Sequence, residues 1–132
     1  MIKDKLLDDY ITLKTKTPFA WGTCDCVLFM ADWCEVLTGI NPAEGSHGKY
    51  DSELSAYKHL KKLCNGDPTI IGDKYFKRID ENYVQKGDVA LCDLNGKDTF
   101  GICGTRGMVL FKTPDGIMAT KLAEKKVCWR IE

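Results

Sequence analysis

Apolar residues recur at helical spacing through the first half of the chain and at strand spacing through the second. Over residues 2–14, Ile2, Leu6, Leu7, Tyr10 and Leu13 predict an amphipathic helix that Thr17-Pro18 ends. The run "DCVLFMADWCEVLTG" sets Cys26, Met30, Trp33 and Leu37 three and four residues apart. It predicts a buried helix from Asp25, closed by Gly39, which is free to take positive φ. "INPAEGSHGKY" is a loop by its Gly, Pro and Asn content. "DSELSAYKHLKKLCNG" then predicts a third helix, capped by Asp51 or Ser52, with Leu54, Tyr57, Leu60 and Leu63 inside and Asn65-Gly66 at its end.

Beyond Pro68 the helical period is lost, and from about residue 84 short β-prone runs take over. They are separated by Asn95-Gly96, Arg106-Gly107 and Pro114-Asp115-Gly116, whose stereochemistry suits tight turns. The pattern predicts an antiparallel meander, with "KKVCWRIE" as a last strand. Helices followed by an antiparallel sheet define an α+β domain, its helices packed on one face of the sheet. Residues 1–132 form one such domain, with no internal repeat, low-complexity tract or linker.

Composition narrows the function classes. Nineteen Lys and Arg balance nineteen Asp and Glu, so the overall basic footprint of a nucleic-acid binder is missing. Apolar runs are short and the N-terminal segment is interleaved with charge, which fits neither a membrane span nor a signal peptide. Synthesis in a cytosol is therefore expected. Seven cysteines, an odd number at irregular spacing, predict reduced and mostly buried thiols. Cys24-x-Cys26 is the best local pair for zinc but lacks partners at the usual spacing, so no metal or cofactor is expected.

The candidate chemistry sits at Asp25-Cys26. A thiol in the first turn of a helix feels the positive end of the helix dipole and unpaired N–H groups, both of which lower its pKa. Trp21-Gly22 lets the backbone turn into that helix and leaves amides for an oxyanion. Cys26 is equally in register with Met30, Trp33 and Leu37, so it also reads as the first residue of the core stripe. Both readings stand on the pattern alone.

Trp21-Gly22, Asp25-Cys26 opening an apolar helix, Gly87-Asp88-Val89 and then Gly101-Ile102 resemble, in order and spacing, the NlpC/P60 superfamily of papain-like cysteine peptidases. Within it, the chain resembles small phage and prophage tail-associated proteins of unknown function. These share a WG-x-x-DC helix, a "GDVAL" strand, a "GIC" strand, a Pro-Asp-Gly turn and a terminal Trp-Arg. The similarity runs from about residue 19 to residue 130. The resemblance implies a papain-like NlpC/P60 fold, with Cys26 at the nucleophile position after Asp25 and with Trp21, Gly22 and Asp25 forming the oxyanion turn. It places Thr99 where the family keeps its base histidine. Threonine cannot accept a thiol proton at neutral pH.

His47, in the "EGSHGKY" loop, is the other candidate base; His59 reads as a helix residue. Asp88 reads as a cap on the turn before its strand, and Cys103, on the strand face of Thr99, as a neighbour of Cys26. Gly101, without a side chain, is expected to let the start of the Cys26 helix come close to the sheet. Arg106 and Lys112 read as turn and strand-edge charges, and Trp129-Arg130 as packing against the sheet end.

The implied function is a structural protein of the tail tip or baseplate hub, assembled in the host cytoplasm and resident in the virion tail. Its partners would be other tail hub or tip proteins, with no nucleic acid and no membrane span. The alternative is an active cysteine peptidase or amidase that cleaves peptidoglycan stem peptides during infection, with Cys26 as nucleophile. The "NPAEGSHGKY" loop is expected to be mobile or used for binding.

Overall fold

The computed structural model describes residues 2–121 and 125–132. Four helices come first: α1 (Ile2–Lys16), α2 (Cys26–Thr38), α3 (Glu53–Cys64) and α4 (Thr69–Asp73). Six strands follow: β1 (Lys77–Ile79), β2 (Val89–Leu94), β3 (Lys97–Cys103), β4 (Met108–Thr113), β5 (Gly116–Lys121) and β6 (Lys125–Arg130). They form one antiparallel sheet in the order β1-β6-β2-β3-β4-β5. The α+β architecture read from the sequence is thus the one observed.

Local signals act where the sequence puts them. Asp25 and Gly39 cap α2, and Ser52 and Asn65 cap α3, with a reciprocal capping box between Ser52 and Ser55. At the β2–β3 turn, Asn95 and Gly96 both take positive φ, at 54° and 81°, as a type I′ hairpin requires.

Helix α2 lies at the centre of the main core. Leu28, Phe29, Met30, Trp33 and Cys34 are almost fully buried, against Val89, Leu91, Phe100, Ile102 and Trp129 of the sheet. The polar ends of the core aromatics are satisfied: Trp33 Nε1 donates to the Gly87 carbonyl at 2.8 Å, and Tyr10 OH to the Phe29 carbonyl at 2.6 Å. Each large side chain buried here contributes about 1.5–3 kcal/mol. A second, smaller cluster contains Ala90, Cys92, Cys103, Val109, Phe111 and Cys128. Direct pairing of Ala90 with Gly101 and Cys128, and of Cys92 with Thr99, aligns these residues on the sheet face opposite Phe100 and Ile102.

Several expectations need correcting. On α3, Leu54 at 64% exposure and Tyr57 at 68% face solvent and Leu63 is partly exposed, while Leu60 packs against the main core and Ala56 and Cys64 are buried. Small side chains at the contact allow the helix a close approach, and this outweighs the larger apolar stripe. Lys112 is buried, and its ammonium donates to the carbonyls of Lys14 and Thr17 at 2.8 and 2.6 Å, closing the C-terminal end of α1.

Helix α4 and strand β1 carry too few residues for a period to show. They are fixed by the chain's end: β1 pairs with β6, and Gly72 of α4 lies so close to the Trp129 indole that an added Cβ would meet it at 2.3 Å. Trp129 Nε1 also donates to Asp73 at 2.9 Å.

Candidate functional site

The Trp-Gly turn is the tip of a tight loop in which Ala20 and Cys24 bridge backbone to backbone. Gly22 takes φ +84°, and the chain then enters α2 through Asp25. The buried Asp25 carboxylate is a hub. Its Oδ1 accepts from the Leu28 amide at 3.0 Å; its Oδ2 accepts from the Gly22 amide at 2.9 Å and from the Tyr50 hydroxyl at 2.6 Å. The Gly22 amide, expected to be available to an oxyanion, is therefore already donated to Asp25.

Cys26, the first residue of α2, is half-buried beside this hub. Burial and then the adjacent Asp25 carboxylate push its thiol from 9.0 up to about 12. The amides of Val27, Phe100 and Cys26 itself oppose the shift. The helix-start effect is thus present and outweighed. The part played by the Phe100 amide puts the start of α2 against the β3 backbone. Beyond this point β3 and β4 pair at Ile102–Leu110 and Cys103–Val109.

The candidate bases are held elsewhere. Thr99, where the resemblance would put a base histidine, donates its hydroxyl to the Lys97 carbonyl at 3.1 Å. His47 Nε2 lies 2.9 Å from Asp32 Oδ1, which also accepts from Asn41 at 3.0 Å. His59 Nε2 bonds the Ser46 hydroxyl at 2.8 Å, and its ring packs 5.3 Å from that of Tyr50. Neither imidazole is hydrogen-bonded to Cys26.

The loop carrying His47 is pinned across the Trp-Gly turn rather than left open. The Gly48 amide donates to the Gly22 carbonyl at 2.8 Å, and Tyr50, His47, Asn41 and Ser46 each hold a further contact.

Two further expectations change. The space a Gly101 side chain would fill is taken by Val109 and Phe111, 2.4 and 2.7 Å from an added Cβ, so it is β4 that closes over this glycine rather than α2. Cys103 belongs to the second cluster, whereas Cys26 packs on the first. Asp88 does cap its turn, accepting from the Gln85 amide at 2.8 Å. Arg130, read as a packing residue, also brings Nε to 3.1 Å from both Asp88 carboxylate oxygens. Sequence reasoning missed the Tyr50–Asp25 and Arg130–Asp88 partnerships, which join residues 25 and 42 positions apart with no periodic signal.

Among the described residues, no group of three or more His, Cys, Asp or Glu side chains is arranged to hold a metal ion, and no helix is long and apolar enough to cross a membrane.

A family model described as a domain of unknown function, DUF6950, matches residues 2–131. The chain is also similar in structure to one reported as "Crystal structure of NlpC/p60 domain of peptidoglycan hydrolase SagA". The TM-score is 0.63 at 13% identity, over 96% of this chain and 97% of the other, which shows a shared fold. No curated protein matches.

Proposed function

We propose, for a chain that belongs to the DUF6950 family of domains of unknown function and has the NlpC/p60 fold, that it is a structural protein of a phage or prophage tail. It uses a peptidase fold that has lost its base. One observation carries the non-catalytic part: Cys26 has its thiol pushed up to about 12, with no imidazole bonded to it. At neutral pH such a thiol is protonated and a poor nucleophile. The fold then serves as a scaffold that presents surfaces to neighbouring proteins. The location in the tail tip or baseplate hub rests on the resemblance of the WG-x-x-DC, GDVAL and GIC segments to tail-associated proteins.

Two measurements test this reading. Incubation of purified peptidoglycan fragments with the protein and with Cys26→Ala should release no stem peptide in either case. Mass spectrometry of particles purified from the encoding phage or prophage should find the chain in the virion. Release that depends on Cys26 would instead establish the cysteine peptidase or amidase. Particles that lack the chain would refute the tail assignment.

A further inference from the structure

The two edges of the sheet are guarded differently. The β1 edge is three residues long, Lys77–Ile79, and its Arg78 is clamped to Asp73 by two hydrogen bonds of 2.7 Å. Short length and charge are common means of keeping a sheet edge from pairing. β5 has neither. It runs for six residues, Gly116–Lys121, in unbroken register with β4, with no proline and no charge before Lys121. β4 is its only strand neighbour, and among the described residues no backbone hydrogen bond from another element reaches its outer side. Met118 and Ala119, in the middle of the strand, are exposed.

The strand's own sequence says what fits there. In an antiparallel pair, residues directly opposite each other both turn their backbone groups toward the partner or both turn them away. Two identical strands related by a two-fold axis meet that condition only when the axis passes through a residue opposed by itself. The register centred on Met118 pairs the whole of β5: Met118 with Met118, Ile117 with Ala119 and Gly116 with Thr120. It also brings Asp115, in the turn before Gly116, beside Lys121 of the other copy, twice by symmetry. Moving the centre to Ile117 or Ala119 parts these charges. Among the described residues neither Asp115 nor Lys121 has an ion pair within its own chain.

We infer that β5 is the edge through which two copies of this chain pair, extending the sheet across a two-fold axis at Met118. Each copy contributes the same surface, as a closed two-fold assembly requires. The Met–Met and Ile–Ala pairs supply apolar contact, and the Asp115–Lys121 pairs fix the register. A strand pair of this length buries less than about 1,200 Å2, so the dimer belongs to the weak, concentration-dependent class. The inference stands apart from the tail assignment, because it rests on this edge alone.

Sedimentation velocity of the full chain, over a concentration series reaching about 0.5 mM, should show a reversible monomer–dimer equilibrium. Met118→Lys sets two like charges at the axis and should weaken the dimer about tenfold or more. Lys121→Asp should weaken it about fivefold at low salt, and adding Asp115→Lys to that variant should restore it. All three positions are exposed, so the variants should keep the parent's melting curve at dilute concentration. Under diamide, Met118→Cys should become a disulfide-linked dimer. Thr120→Cys, whose two copies lie about 14 Å apart in this register, should not, and neither should the parent. The inference is overturned by a monomer at every concentration or by a dimer indifferent to Met118→Lys. It is equally overturned if the charge swap fails to restore pairing, or if Thr120→Cys cross-links as readily as Met118→Cys.

Discussion

The Tyr50 hydroxyl donates a 2.6 Å hydrogen bond to the carboxylate of Asp25, the residue directly before Cys26. The bond ties the end of the 41–50 loop to the start of α2. It also completes a set of three donors around a carboxylate that is 1% exposed. Tyr50→Phe removes one charge-assisted bond and leaves the other two, so a loss of about 1.5–3 kcal/mol in urea unfolding is expected. Amide exchange across residues 46–50 should quicken in the same variant. Because the Asp25 charge raises the Cys26 thiol, Asp25→Asn should in addition make Cys26 alkylate faster at a given pH. Unchanged alkylation would show that burial alone sets the thiol.

Gly22 meets the same loop from the other side. A Cβ at this position would lie 1.9 Å from the Tyr50 carbonyl oxygen, and the backbone φ of +84° already disfavours any other residue. Gly22→Ala must therefore displace the 48–50 segment, breaking the Gly48–Gly22 backbone bond and the Tyr50–Asp25 bond together. The expected result is a stability loss larger than that of Tyr50→Phe, with peptide bonds near residue 48 opened to limited proteolysis. A variant as stable and as protease-resistant as the parent would mean that the turn and the loop are not coupled.

Buried acids make the fold sensitive to alkali. Desolvation is the largest cause raising the thiols of Cys24, Cys26, Cys34 and Cys64 and the phenols of Tyr10 and Tyr50. Each holds its proton more tightly folded than unfolded. Its contribution is complete below the unfolded value and is lost as pH rises through the folded one. For Cys26 that window runs from 9.0 to about 12. Within it each such group steepens the fall in unfolding free energy by about 1.4 kcal/mol per pH unit. Stability should therefore drop from about pH 9 upward, and Cys26→Ala should flatten the slope by one proton's worth. Equal slopes for parent and variant would refute the raised thiol.

What could be read from the sequence divides along contact range. Asp25, Gly39, Ser52 and Asn65 act on backbone within a few residues, and so do Asn95-Gly96 and Pro114-Asp115-Gly116. The ends of α2 and α3 and the order of the meander were therefore legible. The buried face of α3 was not, because small Ala56 and Cys64 rather than large Leu54 and Tyr57 decide how closely it packs. Nor was the role of Lys112, which depends on α1 ending above β4, 95 and 98 residues away in the chain. At the site, Cys26 and its cap were visible as a local motif. The competition between helix start and burial, which leaves its thiol high, is a property of the packed protein.

The candidate base position can be tested by filling it. The Phe100 amide favours the Cys26 thiolate, so the thiol lies against the β3 backbone one peptide from Thr99. The Thr99 side chain alternates with that of Phe100 onto the sheet face of Gly101 and Cys103, away from α2. Thr99→His should therefore leave the alkylation of Cys26 by iodoacetamide at neutral pH unchanged. A gain of about tenfold or more that vanishes in the Cys26→Ala background would show that an imidazole at this position does reach the thiol. In the parent, alkylation of Cys26 should stay slow and climb with pH toward the raised value of about 12. Parent alkylation that is selective for Cys26, saturates below about pH 6.5 against an ordinary thiol near 8.5, and slows on His47→Ala would reverse the functional reading. His47 would then have left Asp32 to serve as base, and the cysteine peptidase would take first place.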